Sequence, residues 1–178
     1  PDATDGHGGP NGDQPIMLRL ATSTLASTVT IDMPADGTFV PIVVNIPAFS
    51  ASTVNLSAWL AQIENTTINA VQNKGLRVRA TNPISAYYEL NTTFNTEIWA
   101  LKGPNGLGTE FFTPFQTTRQ NWNGYTPLPY AEIIIVATQN NTQVMVFPRI
   151  ALNGHPANVA FTITLNAAKS SPPILSKT

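Results

Sequence analysis

The sequence predicts an all-β chain, an antiparallel β-sandwich of jelly-roll-like type built from about ten short strands. Three observations predict it. Uncharged polar residues dominate, with 23 Thr and 17 Asn against nine basic and ten acidic side chains, and Thr favours pleated strands while Asn favours turns. Fifteen Pro and eleven Gly leave few stretches in which a helix could run uninterrupted. Apolar and polar residues alternate at period two in several short runs, the mark of strands with one buried face. At 178 residues the chain is long enough for one domain with a substantial core.

In chain order, residues 1–15 are rich in Gly, Asp and Pro, without apolar periodicity, and read as an N-terminal arm or loop. The sandwich domain is expected over 16–166. Ile16, Leu18 and Leu20 alternate with Met17 and Arg19, and Val29, Ile31 and Met33 alternate with Thr28, Thr30 and Asp32. Pro34, Asp36 and Gly37 make a turn, and Phe39 to Ile46 reads as a strand that Pro41 assigns to an edge or a bulge. Val54, Leu56 and Ala58 continue the pattern. Between Trp59 and Asn73 the composition fits loop with a little helix or strand. Leu76, Val78 and Ala80 then oppose Arg77 and Arg79, and Asn82 and Pro83 separate that strand from Ile84 to Leu90.

Glu97 to Leu101 and Thr109 to Phe112 read as two short strands around the turn Gly103 to Gly108. The apolar centre of Glu132 to Thr138 suggests a strand covered on both faces. Asn140 and Asn141 suit a tight hairpin turn into Thr142 to Pro148, because Asn tolerates positive φ. Val159, Phe161, Ile163 and Leu165 form the last alternating run, and residues 167–178, rich in Ser, Pro and Lys, read as a C-terminal linker.

A net charge of -1 provides no basic field for phosphates, so nucleic acid is not an expected partner. Cysteine is absent, which excludes disulfides and thiol chemistry. The longest apolar run, Ile133 to Ala137, is far too short to span a bilayer, so membrane insertion is not expected. Residues 1–13 lack the basic start and apolar stretch of a signal peptide, as a processed chain or an excised piece would. Thr and Asn wealth with few Lys and Glu favours an exported, extracellular protein.

Catalytic signatures are missing, and no cofactor is expected. His7 lies in the Gly-rich arm and His155 in an Asn-Gly-His-Pro turn, and both read as solvent-facing loop residues. No Gly-x-Ser-x-Gly elbow occurs. Two carboxylates could work as a glycosidase pair, and Glu89, Glu97, Glu110 and Glu132 lie on or near strands, although outward strand positions carry such residues routinely. The arm from Asp2 to Asp13 has oxygen ligands and Gly turns suited to calcium but not the EF-hand spacing. Thr113 to Tyr130 shows no strand alternation and contains Arg119, Asn121, Trp122, Asn123 and Tyr125. Long connections of this kind are often functional. Aromatic faces beside amides and an Arg suit a glycan or an extended peptide. In the competing reading Trp122 and Tyr125 tuck back and pin the loop. Trp59 and Trp99, in apolar strand contexts, are expected in or near the core.

Three blocks carry a family resemblance: Asn73-Lys-Gly-Leu-Arg-Val-Arg-Ala-Thr-Asn-Pro-Ile-Ser-Ala-Tyr-Tyr-Glu, Glu97-Ile-Trp-Ala-Leu-Lys-Gly-Pro-Asn-Gly-Leu-Gly-Thr-Glu-Phe-Phe and Ile135-Val-Ala-Thr-Gln-Asn-Asn-Thr-Gln-Val-Met-Val-Phe-Pro. In this order they resemble the IgGFc-binding-protein N-terminal domain family, in the version found in large Bacteroidota surface proteins with gliding-motility or type IX secretion sorting domains. The likeness runs from about Ile16 to Phe147. It departs from the family in the missing aromatic strand ahead of Ile16 and in Gln139, where the family usually has an acidic residue. The resemblance implies a non-enzymatic β module of a secreted cell-surface adhesin, with neighbouring domains of the same long polypeptide and a surface glycan or protein as partners. It transfers no catalytic and no antibody-contact residues. The alternatives are a jelly-roll capsid or fibre subunit and, third, a glycosidase-type or glycan-processing accessory domain.

Overall fold

The structure, a computed structural model, describes residues 15–65, 67, 69–91, 96–113, 132–169 and 174–175. These form eleven strands and one short helix, with every strand pairing antiparallel, and they group into two compact units. The first unit holds β1 (Ile16–Thr22), β2 (Ser27–Asp32), β3 (Ile42–Ile46), β4 (Ala51–Asn55), β5 (Arg77–Ala80), β6 (Ile84–Leu90) and β7 (Glu97–Ala100). They make a four-stranded sheet in the order β4-β1-β6-β7 and a three-stranded sheet in the order β3-β2-β5.

The period-two alternation read from the sequence is the packing rule of this unit. Ile16, Leu18 and Leu20 of β1 and Val29 and Ile31 of β2 are each at most 1% exposed. They meet Met33, Phe39, Ile46, Leu56, Ile63 and Leu90 in one core fed by both sheets, so the two sheets pack face to face as a sandwich. Burying each such large side chain contributes about 1.5–3 kcal/mol relative to leaving it in water. The intervening residues, Met17, Arg19, Thr28 and Thr30, are half-buried on the outer faces. Leu76 and Val78 pack inward while Arg77 and Arg79 point out, as their alternation predicts.

Local chemistry sets the strand ends. Pro41 stands immediately before β3, which is an edge strand, so its missing N–H costs no ladder bond. Where β1 ends, the Thr22 hydroxyl donates to the carbonyls of Pro47 and Ser50, and the Phe49 N–H donates to the Ser23 carbonyl at 2.7 Å. Ser27, also buried, donates to the Asn82 carbonyl and accepts from the Asn82 N–H, both at 3.1 Å. Both buried hydroxyls are thereby satisfied. Between β4 and β5 the expected scrap of helix is a 3₁₀ turn, Ser57–Trp59, running into α1 (Leu60–Ile63), with Trp59 packed on Phe39 at a centroid distance of 6.1 Å.

The second unit contains β8 (Glu132–Ile133), β9 (Thr142–Val146), β10 (Phe161–Leu165) and β11 (Ile174–Leu175), paired as β9 with β10 and β8 with β11. Phe161, Ile163 and Leu165 share one face of β10 with Val146, Val144 and Thr142 opposite, and Leu165 is fully buried. In the stretch 167–178, the Ala168 N–H donates to the Ala137 carbonyl at 2.9 Å, and Ile174–Leu175 form β11. The Ala168 carbonyl accepts from the Gly75 N–H at 3.1 Å, and a Cβ on Gly75 would lie 2.3 Å from that oxygen, so only glycine fits.

Four sequence expectations change. Thr109 to Phe112 is not a strand: no ladder partner exists for it among the described residues, and Phe111 and Phe112 are exposed. Glu132 to Thr138 is not a strand covered on both faces, since the strand comprises only Glu132–Ile133, and Val136 stands in a single β-bridge and is half exposed. Asn141 does adopt φ +57°, but it does not join a hairpin between those segments. Instead the Asn166 side chain accepts from the Asn141 N–H and the Asn140 side chain accepts from the Ala167 N–H, both at 3.1 Å, which ties the turn to the end of β10. Trp99 is 44% exposed rather than in the core, because β7 is an edge strand; its ring packs on Tyr88, at a centroid distance of 5.9 Å.

Truncating Leu18, which lies under both sheets of the sandwich, removes a fully buried side chain. Leu18→Ala is expected to destabilise the first unit by about 2–5 kcal/mol, read as a lowered urea midpoint in Trp fluorescence.

Candidate ligand-binding site

The loop residues that the sequence nominates, Arg119, Asn121, Trp122, Asn123 and Tyr125, lie outside the described residues, as do His7 and the Asp/Gly-rich arm. Of the residues singled out for chemistry, His155, Glu89, Glu97 and Glu110 are described with their side chains. Glu89 pairs with Arg19 on the outer face of the four-stranded sheet, where Arg19 also donates to Thr53 Oγ1 at 3.0 Å. Glu97 stands opposite Leu90 in the β6–β7 ladder and Glu89 stands opposite Ile98, so the two carboxylates project from opposite faces. They do not face one cleft. Glu110 is exposed and lies outside any strand.

Charge on the three-stranded sheet is tied up in one cluster. The side chain of Asp32, 12% exposed, accepts from Arg77 Nε at 2.8 Å and Nη2 at 2.7 Å, and from Arg79 Nη2 at 3.0 Å. The hydrogen bonds from Arg77 hold its carboxyl below the usual carboxylate range, against the opposing effect of burial. A carboxyl lowered on folding adds stability that is present above pH ~4 and is lost as pH falls through the lowered value. Beside this cluster the outer face is neutral: Thr28 donates to Asn45 Oδ1 at 2.8 Å and Ser27 lies 3.4 Å from the Thr81 hydroxyl. These groups border a shallow concavity of about 330 Å³ with Ala26, Ile46 and Pro47. Its hydroxyls and amide already bond one another, so little is left for a ligand.

A second concavity, also about 330 Å³, belongs to the second unit and is lined by Asn69, Val71, His155, Phe161, Thr162, Ile163 and Thr164. His155 is brought there by a two-residue turn: Leu152 and His155 exchange backbone hydrogen bonds of 2.9 and 3.1 Å across Asn153 and Gly154, with Gly154 at φ +81°. Its ring stacks on Phe161 at a centroid distance of 3.6 Å and an angle of 8°. His155 is therefore half-buried in an aromatic stack, not the solvent-facing loop residue that its sequence context suggests. Asn69, at φ +57°, donates from Nδ2 to the Asn153 carbonyl at 3.3 Å, which fixes its amide beside the turn.

No local pattern announces this site, because its residues come from three separate segments. The only signal is the Asn-Gly pair, which marks the turn that carries His155. Among the described residues no three His, Asp or Glu side chains gather as a metal site would require, and no helix is long and apolar enough to cross a membrane. Comparison with protein-family models, curated proteins and solved structures finds no match for this chain.

Asp32→Asn removes the charge-dependent part of the Asp32–Arg77–Arg79 cluster. The wild type is expected to lose urea stability as pH falls below about 4, and the variant is expected to be less stable at pH 7 and to lose less on acidification, measured as the urea midpoint against pH.

Proposed function

We propose that this chain is a non-enzymatic β module of an exported surface protein and that it acts by contact, as an adhesin module does. The observation that carries the reading is the apolar surface along the open edge of the four-stranded sheet. Ile98 and Leu101 are 60% and 43% exposed; Ile98 shares the outer face with the half-exposed Tyr87, and Trp99, 44% exposed, stands on the opposite face. Among the described residues β7 pairs on one side only, with β6. Exposed apolar side chains gathered on a strand edge cost solubility unless another surface covers them. In a long surface protein a neighbouring domain of the same polypeptide is the natural cover, leaving the loops, with 113–130 foremost, to meet a glycan or protein.

Two further observations support the reading. The outer sheet faces carry Thr, Asn and paired charges that bond one another and are not gathered into a cleft. The three sequence blocks that resemble the IgGFc-binding-protein N-terminal domain family imply the same setting, a secreted module of a Bacteroidota surface protein. The apolar edge equally favours a second reading, a capsid or fibre subunit, in which copies of the chain cover one another. The two differ in solution. The adhesin reading predicts that the 178-residue chain sediments as a 19.1 kDa monomer at all concentrations tested. Concentration-dependent assembly that Ile98→Ser or Trp99→Ser abolishes would replace it with the capsid or fibre reading.

A further inference from the structure

The concavity beside β10 has features that the contact reading does not use. Phe161, Thr162, Ile163 and Thr164 are consecutive and project alternately from both faces of β10, yet all four line it. It therefore runs along an edge of the strand, and β9 occupies the other edge. On such an edge every second residue turns its backbone N–H and C=O away from the existing partner, so donors and acceptors alternate along the wall. The Thr162 and Thr164 hydroxyls add groups that both donate and accept.

Opposite, Asn69 spends one N–H on the Asn153 carbonyl, and its Oδ1 is an acceptor on an amide held in place. The stacked His155 and Phe161 rings provide a fixed aromatic surface whose imidazole also has a polar edge. Among the described residues no Lys, Arg, Asp or Glu lines the space. A neutral lining offers no counter-charge for an anion or a cation, and the polar groups that stand beside Val71, Phe161 and Ile163 penalise a purely apolar guest. What satisfies mixed donors and acceptors beside an aromatic surface, without carrying charge, is a polyhydroxylated ring: each hydroxyl both donates and accepts, and the C–H face packs on the ring. A volume of about 330 Å³ is at the small end of ligand sites, enough for one or two sugar units.

We infer that the concavity formed by Asn69, His155, Phe161, Thr162 and Thr164 is a binding site for a neutral saccharide unit. The inference rests on reading the chain as a contact module and assigns it a ligand class and a location. The site is small and open, so binding is weak for a single unit and gains strength from repetition along a glycan or between modules.

The test is an amide-resolved NMR titration of the full chain with neutral monosaccharides and disaccharides: glucose, galactose, mannose, N-acetylglucosamine and their β-linked dimers. Shifts centred on Asn69, His155 and residues 161–164 are expected with at least one of them. Thr162→Val keeps the side-chain shape and His155→Phe keeps the stack, and each deletes hydrogen-bonding groups. Each should weaken binding about fivefold, the worth of one hydrogen bond, while Asn45→Ala on the first unit's outer face should leave it unchanged. Saccharide binding that is unaltered in both β10-side variants would overturn this site and leave the module reading standing. No saccharide shifts, but shifts at residues 161–164 with an extended threonine-valine peptide, would make the edge a strand-addition site and overturn the inference. Loss of binding in Asn45→Ala as well would also overturn it, by showing that the variants act through general destabilisation.

Discussion

One face of β1 and one face of β2 must be buried together, and the rest of the first unit follows from that constraint. Both are central strands, each hydrogen-bonded on two sides, and their inward side chains leave no accessible surface to trade for another arrangement. A one-residue slip of either strand would place Arg19 or Thr30 in the core and Leu18 or Val29 in water. The register is thus fixed by hydrophobic burial rather than by turn chemistry. Pro41, Thr22 and Ser27 then finish the strand ends without leaving buried polar groups unpaired.

The same alternation explains the character of the surface. Outward polar positions of β1 to β6 bond one another across the sheets: Thr28 on β2 with Asn45 on β3, Arg19 on β1 with Glu89 on β6 and Thr53 on β4, and Asp32 on β2 with two arginines of β5. Two strand edges remain available for interaction, besides exposed apolar side chains such as Phe49 and Met145. One is the apolar edge at β7 in the first unit, and the other is the mixed polar and aromatic edge at β10 in the second. The two edges differ in chemistry, which is why one suits a protein surface and the other a small hydroxylated ligand.

Much of the fold could be read from the sequence because period-two alternation is a local property. Ile16/Leu18/Leu20, Val29/Ile31, Leu76/Val78 and Phe161/Ile163/Leu165 each declare their inward face within a few residues. Choice of partner is not local. The run Ile133 to Val136 is apolar enough for a covered strand, yet only Ile133 of it pairs in a ladder, with Ile174, and the Asn140-Asn141 turn is held by Asn166 and Ala167 rather than by a hairpin ladder. Trp99 misleads for the same reason: its neighbours are apolar, but whether a strand is central or at an edge is decided elsewhere in the chain. The site beside β10 was least readable. His155 stood out only as a turn residue, and neither its stack on Phe161 nor its proximity to Asn69 has a spacing that would reveal it. Of the loop 113–130, which its composition marks most strongly, all but Thr113 lies outside the described residues.

The burial constraint on β1 and β2 is tested most directly by amide hydrogen exchange of the first unit. Amides of Leu18, Leu20, Val29 and Ile31 should exchange slowest and only through global opening, with those of the edge strands β3, β4 and β7 exchanging faster through local fraying. Equal rates in central and edge strands, or fastest exchange in β1, would contradict a fold organised around those two strands.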